Sequence, residues 1–138
     1  MELLEIPIFK RTVELYKILH QFRASVPRQD RFTIWQKCET HVLDMLERIF
    51  FLAPLPRDEK AEELEQLSRR LNLLRIIFRI CKETKTIDNK KYIRIESVVD
   101  EIGRMTGGWI KSLKEDQKKE TCRNEQMVEN IQQVNQVA

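Results

Sequence analysis

The chain has 138 residues, the size of one ordinary domain, and can bury a core without disulfides or a structural metal. Its 41% hydrophobic and 34% charged residues are the balance of a folded soluble protein and exclude a disordered one. The net charge of +3 permits a polyanionic partner without demanding one, so the distribution of charge has to carry that question.

Only three Gly and four Pro are present, which favours long uninterrupted elements. A first helix is predicted from Pro7, a residue suited to the first helical position, to about Ala24. Its apolar seam is read as Phe9, Val13, Tyr16, Leu19 and Phe22. Ser25-Val26-Pro27 breaks it. A second helix starts near Arg28 to Arg31, with Trp35, Cys38, Val42, Met45 and Ile49 stepping by three and four, and stops at Pro54 and Pro56. The third opens at Arg57-Asp58-Glu59-Lys60, where acids suit the helix dipole. Leu64, Leu67, Leu71, Leu74, Phe78 and Cys81 make one seam, while Leu73, Ile77 and Ile80 fall on another side. Two apolar faces on one helix imply two packing partners, one of them another subunit.

Asp88 is placed to cap a fourth helix, with Ile95, Val98, Ile102, Met105 and Trp109 as its seam. Four such helices joined by short loops predict an all-α, up-down-up-down four-helix bundle over residues 1–115. Residues 116–138 are polar and rich in Gln and Asn, with Met127, Ile131 and Val134 only weakly periodic, and are read as a frayed or partner-ordered tail. Cys38, Cys81 and Cys122 are odd in number and far apart, as expected of free thiols in a reducing cytosol. Met1 to Glu5 lacks the basic and apolar regions of a leader, and no apolar run approaches the roughly 20 residues of a membrane span, so a cytoplasmic protein is expected.

Three segments are candidates for function. Between Gln66 and Lys82 there are five bases and no acid, and Arg75, Arg79 and Lys82 are spaced to share one ridge, supplemented by Arg69, Arg70 and Lys85. Arginine forks suit phosphate; a solvated face, or pairing with acids such as Asp44 and Glu47, is the alternative. In Gly103-Arg104-Met105-Thr106-Gly107-Gly108-Trp109, Gly103 and Gly107 share a side, which reads as close helix packing. The loop Pro27-Arg28-Gln29-Asp30-Arg31, followed by Phe32, Thr33 and Trp35, sets bases beside aromatics. It is suited to phosphate, but the preferred reading has Asp30 capping the helix and the aromatics packing inside. Catalysis has no such support: His20 and His41 lie on different helices, no cysteine pair has zinc spacing, and no Gly-rich phosphate loop follows a strand. No cofactor is expected.

The runs Leu71 to Ile80, Asp100 to Trp109 and Val26 to Thr33 together resemble the Avd family, accessory variability determinants of diversity-generating retroelements. The likeness covers roughly Phe9 to Lys114. It implies a four-helix-bundle protomer in a barrel-shaped homopentamer with a positive surface. It also implies non-catalytic partnership with an error-prone reverse transcriptase and its template RNA, and DNA as a further partner, during mutagenic retrohoming. Arg75 and Arg79 are the matched arginines to which partner or nucleic-acid binding carries over, with Arg28 and Arg31 matching more loosely. Gly103, Gly107, Gly108 and Trp109 carry over as packing, and the second face of the third helix would serve the pentamer. Leu73 stands where a base is common in the family, and Trp35 where smaller residues are usual. A bundle family encoded by intervening sequences in ribosomal RNA genes shares the architecture, and a purely structural oligomer is the other alternative; the Gly-Gly-Trp motif favours Avd.

Overall fold

Proline placement and apolar spacing cut the chain into helices. A computed structural model describes residues 5–137; Met1 to Leu4, read above for a leader, and Ala138 lie outside the described residues. Helix α1 spans Pro7–Phe22 and runs into a 3-10 turn at Arg23–Ser25. A one-turn helix α2 (Arg28–Arg31) follows Pro27, then α3 spans Ile34–Leu52. The second helix therefore begins later than expected, because Arg28–Arg31 is a separate turn. Pro54 and Pro56 separate α3 from α4 (Arg57–Glu83), and α5 spans Asn89–Val137. The long helices neighbour one another in the cycle α1–α3–α4–α5–α1. With links this short each helix runs antiparallel to the next, and the result is a four-helix bundle. Among the described residues no helix is long and apolar enough to cross a membrane.

The bundle interior follows the predicted seams on α3 and α4, whose members are all buried. On α1 the seam is displaced. Ile8, Thr12, Leu15, Ile18 and Leu19 are buried, whereas Phe9, Tyr16 and Phe22 pack against the core's flank. A threonine can occupy the axis because its hydroxyl donates to the Ile8 carbonyl at 2.8 Å. Trp35 is wholly buried, and its indole N–H donates to the Leu19 carbonyl at 3.2 Å, tying α3 to the end of α1. Met105 and Trp109 are only half-buried at the wet end of the α5 seam, where Lys60 lies 5.7 Å from the Trp109 ring centroid.

Cys38 and Cys81 are both buried and meet across α3 and α4, and Cys122 is exposed. The hydrogen bond with Cys81, and then burial, push the Cys38 thiol far above the ordinary thiol range, so it stays protonated and inert. A thiol-reactive dye should therefore titrate one group in the native protein and three in denaturant; fast modification of three groups without denaturant would contradict this packing.

The C-terminus of α4 closes by a Schellman motif. The Thr86 N–H donates to the Cys81 carbonyl at 2.8 Å and the Lys85 N–H to the Lys82 carbonyl at 3.1 Å, with Lys85 at φ 61°. Asp88 caps α5 as expected, accepting from the Lys91 N–H at 2.8 Å. Helix α5 does not stop at the bundle's end. No Gly or Pro follows Gly108, and the Glu, Gln and Lys beyond it are good helix formers, so the polar tail continues as helix. Ion pairs from Lys114 to Glu65 (3.0 Å) and from Glu120 to Arg57 (2.6 Å) tie it to α4. Beyond them it runs about 25 Å further at 1.5 Å per residue, with Met127, Val128, Ile131 and Val134 exposed.

The glycine motif resolves into two different situations. A methyl at Gly103 would stand 2.7 Å from Nη2 of Arg75, so the missing side chain seats a guanidinium rather than a neighbouring backbone. Gly107 and Gly108 have nothing within 4 Å of an added methyl, so the close packing expected of them is not found among the described residues. Replacing both by alanine should raise protomer stability by about 1–2 kcal/mol, the helix-propensity gain for two exposed positions. Chemical denaturation measures that gain. A loss of self-association in the same variant would instead place a second copy on this side.

Candidate functional site

The basic ridge on α4 is not a continuous free strip. Arg75 lies over Gly103 and ion-pairs with Asp100 of α5. Arg70 stands 4.0 Å from Asp44 on α3, and its carbonyl meets Nε2 of buried His41 at 2.8 Å. Arg79 is 75% exposed with only a loose contact to Glu83, at 3.6 Å one turn on, and Arg69 is exposed. Lys82 turns toward α5, with its ammonium 4.9 Å from the Tyr92 ring centroid. Arg75 is thus an interhelical tie, and its matched partner Arg79 is the freer of the two. Partial pairing of this kind is worth little to stability at a surface, yet it lowers what the group can offer an incoming phosphate.

The second apolar face of α4 is present. Leu73 and Ile80 are 47% and 41% exposed, and Ile76 between them is 57% exposed. Ile77, placed on this face from sequence, instead packs against the core. Leu73, Ile76 and Ile80 step by three and four along a stripe left exposed among the described residues.

The concentrated charge lies at the end of the bundle where the α1–α3 and α4–α5 connections meet. Thr86 donates to Asp30 Oδ2 at 3.1 Å, joining the two connections, and Thr84 and Thr86 share a hydrogen bond of 2.9 Å. Asp30 is therefore not the helix cap that was expected; its carboxylate is used between loops. Arg31 donates to the carbonyls of Val26 (2.9 Å) and Ala24 (3.0 Å), which fixes the first loop. Lys91 and Arg94 flank the Phe22 ring at 5.8 and 5.6 Å from its centroid. Arg28, Lys85 and Lys90 are exposed around this frame.

Residues 22–33 and 79–94 hold nine bases and three acids, whereas the rest of the chain has sixteen bases and nineteen acids. All of the excess positive charge sits on this pole. Two of its acids are engaged: Asp30 as above, and Asp88 at the start of α5. The Lys91 backbone N–H, and then the Lys91 ammonium, hold the Asp88 carboxyl below its ordinary range. Its support for α5 is accordingly present above the ordinary aspartate pKa and fades as pH falls through the lower folded value.

Sequence reasoning found Arg28, Arg31, Arg79, Lys82 and Lys85 as separate candidates, and the structure brings these five to one pole. It missed Arg23, Lys90, Lys91 and Arg94. The signal was available in the Lys90-Lys91-x-x-Arg94 run, which opens in the first turn after a helix cap, beside a loop already rich in arginine. Phe32 was also misplaced. It was expected to pack inside with Trp35, but it is 68% exposed.

The two histidines have structural surroundings. His41 is buried against the Arg70 carbonyl, and exposed His20 stacks near Tyr16 with centroids 6.3 Å apart. Searches among curated proteins and solved structures find no match to the chain. The family model described as bAvd-like matches residues 7–113, the whole bundle up to the last core-facing turn of α5, and leaves the projecting tail outside. With a bundle of this topology and a family match over most of its length, the chain belongs to the bAvd-like family.

Proposed function

We propose that this chain is the non-catalytic accessory protein of a diversity-generating retroelement, binding the error-prone reverse transcriptase and its template RNA in the cytoplasm during mutagenic retrohoming. Membership in the bAvd-like family suggests an Avd-type accessory protein. The observation that carries the RNA contact is the concentration of nine bases against three acids on one pole of the bundle. Phosphate is bound there by charge and by counterion release, with no proton transfer asked of any side chain. The exposed α4 stripe of Leu73, Ile76 and Ile80 supports self-assembly, for which the homopentamer is the arrangement proposed.

The direct test is a mobility shift with structured template RNA over a salt series, alongside capture of the purified reverse transcriptase. RNA affinity that falls steeply with salt supports the reading. An assembled protein that retains neither RNA nor the enzyme at low salt would overturn it in favour of a purely structural oligomer, the reading to which the internally paired Arg70 and Arg75 lend weight.

A further inference from the structure

We infer that Phe32 is a stacking platform for an unpaired base, so that the basic pole takes single-stranded RNA segments in preference to duplex. This deepens the reading of the pole as an RNA site and rests on it. A phenylalanine 68% exposed in a short connection contributes nothing to the core. The Arg23 guanidinium sits 5.2 Å from the ring centroid, and Arg23 is itself held by an ion pair of 2.6 Å to Glu39, which is buried. Arg31 pins the loop through two backbone carbonyls, and the Thr33 hydroxyl closes it against the Gln29 carbonyl at 3.2 Å. The ring is thus presented on a rigid frame, with little ordering left for binding to require.

The surrounding charge selects the occupant. A protein partner seated on Phe32 would have to be acidic; a nucleic-acid strand supplies both an anionic backbone for Arg28 and a flat π-face for the ring. Bases inside a duplex are already stacked on one another and offer no free face, whereas unpaired bases do. One arginine and one aromatic in contact, with further cations around them, is the arrangement by which single strands are held without sequence preference.

The experiment uses the full chain with two fluorescent probes of equal length, a single-stranded oligoadenylate and a blunt RNA duplex. Phe32→Ala should weaken the single strand about 10-fold and leave the duplex within about 2-fold, because one stacked base is lost and no charge is changed. Phe32→Trp should restore or exceed native affinity. Since the ring is exposed, thermal melting should be unchanged and will confirm that the fold is intact. Equal affinities of native and Ala variants for the single strand, or equal losses on both probes, would overturn the inference while leaving the RNA site standing. Unchanged RNA binding with weakened capture of the reverse transcriptase would make Phe32 a protein anchor and overturn it too. If the native protein binds neither probe, the reading on which the inference rests has failed.

Discussion

Reversing Arg28, Lys85 and Lys90 to glutamate together should weaken template RNA binding by about 50-fold or more at 0.15 M salt, with the bundle still folded. Each phosphate contact on a single strand contributes a slope of about 0.7 in the logarithmic dependence of affinity on salt. Removing three contacts therefore lowers the slope by about 2 and, at this ionic strength, affinity by somewhat under two decades; reversal adds repulsion. These three side chains are exposed and hold no core contact, and an acid at Lys90 suits the first turn of α5. The contrasting variant is Arg75→Ala with Arg79→Ala. Arg75 is already occupied by Asp100, so this pair removes one free cation in effect and should weaken RNA by about 10-fold or less. A titration followed by fluorescence anisotropy distinguishes the two. Equal losses in both variants, or a larger loss in the α4 pair, would return the site to the helix face.

That contrast also marks how far the sequence could be read. The α3 and α4 seams were legible because their apolar residues recur at helical spacing with polar residues between them. The α1 seam was misjudged because aromatic bulk outweighed register: Phe9, Tyr16 and Phe22 are large enough to cover the flank, while a satisfied Thr12 occupies the interior. Helix identity and the tight link after α4 depend on local signals, such as Asp88 and the prolines. The state of Arg75 depends on Asp100, twenty-five residues away on another helix, and no local pattern reports it. The same is true of Asp30, which faces Thr86 across fifty-six residues. The pole itself became visible only when antiparallel packing brought two half-recognised basic segments to the same end. Continuation of α5 past the bundle follows from the absence of a breaker, a weaker signal than the polar composition that pointed toward fraying.

Trp35→Ala should be the most damaging single change in the bundle, at about 3–5 kcal/mol. The indole is wholly enclosed, so truncation leaves a cavity that the surrounding helices can only partly close. It also deletes the N–H that meets the Leu19 carbonyl and joins α3 to the last turn of α1. A domain of this size has a total stability of about 5–15 kcal/mol, so the loss is about a fifth of it or more. With a urea dependence of about 1–3 kcal/mol per molar, the unfolding midpoint should fall by roughly 1–5 M. Trp109→Ala provides the comparison. That ring is half-buried at the opposite end of the bundle and covered on one face by a lysine, so a smaller loss is expected. Because Trp35 lies three residues beyond Phe32 and anchors the helix that follows it, Trp35→Ala should also erode single-strand binding even at temperatures where the chain remains folded. A midpoint within about 0.5 M of the native value would mean that α1 and α3 are not held together through this indole, and the rigid presentation of the pole would lose its structural basis.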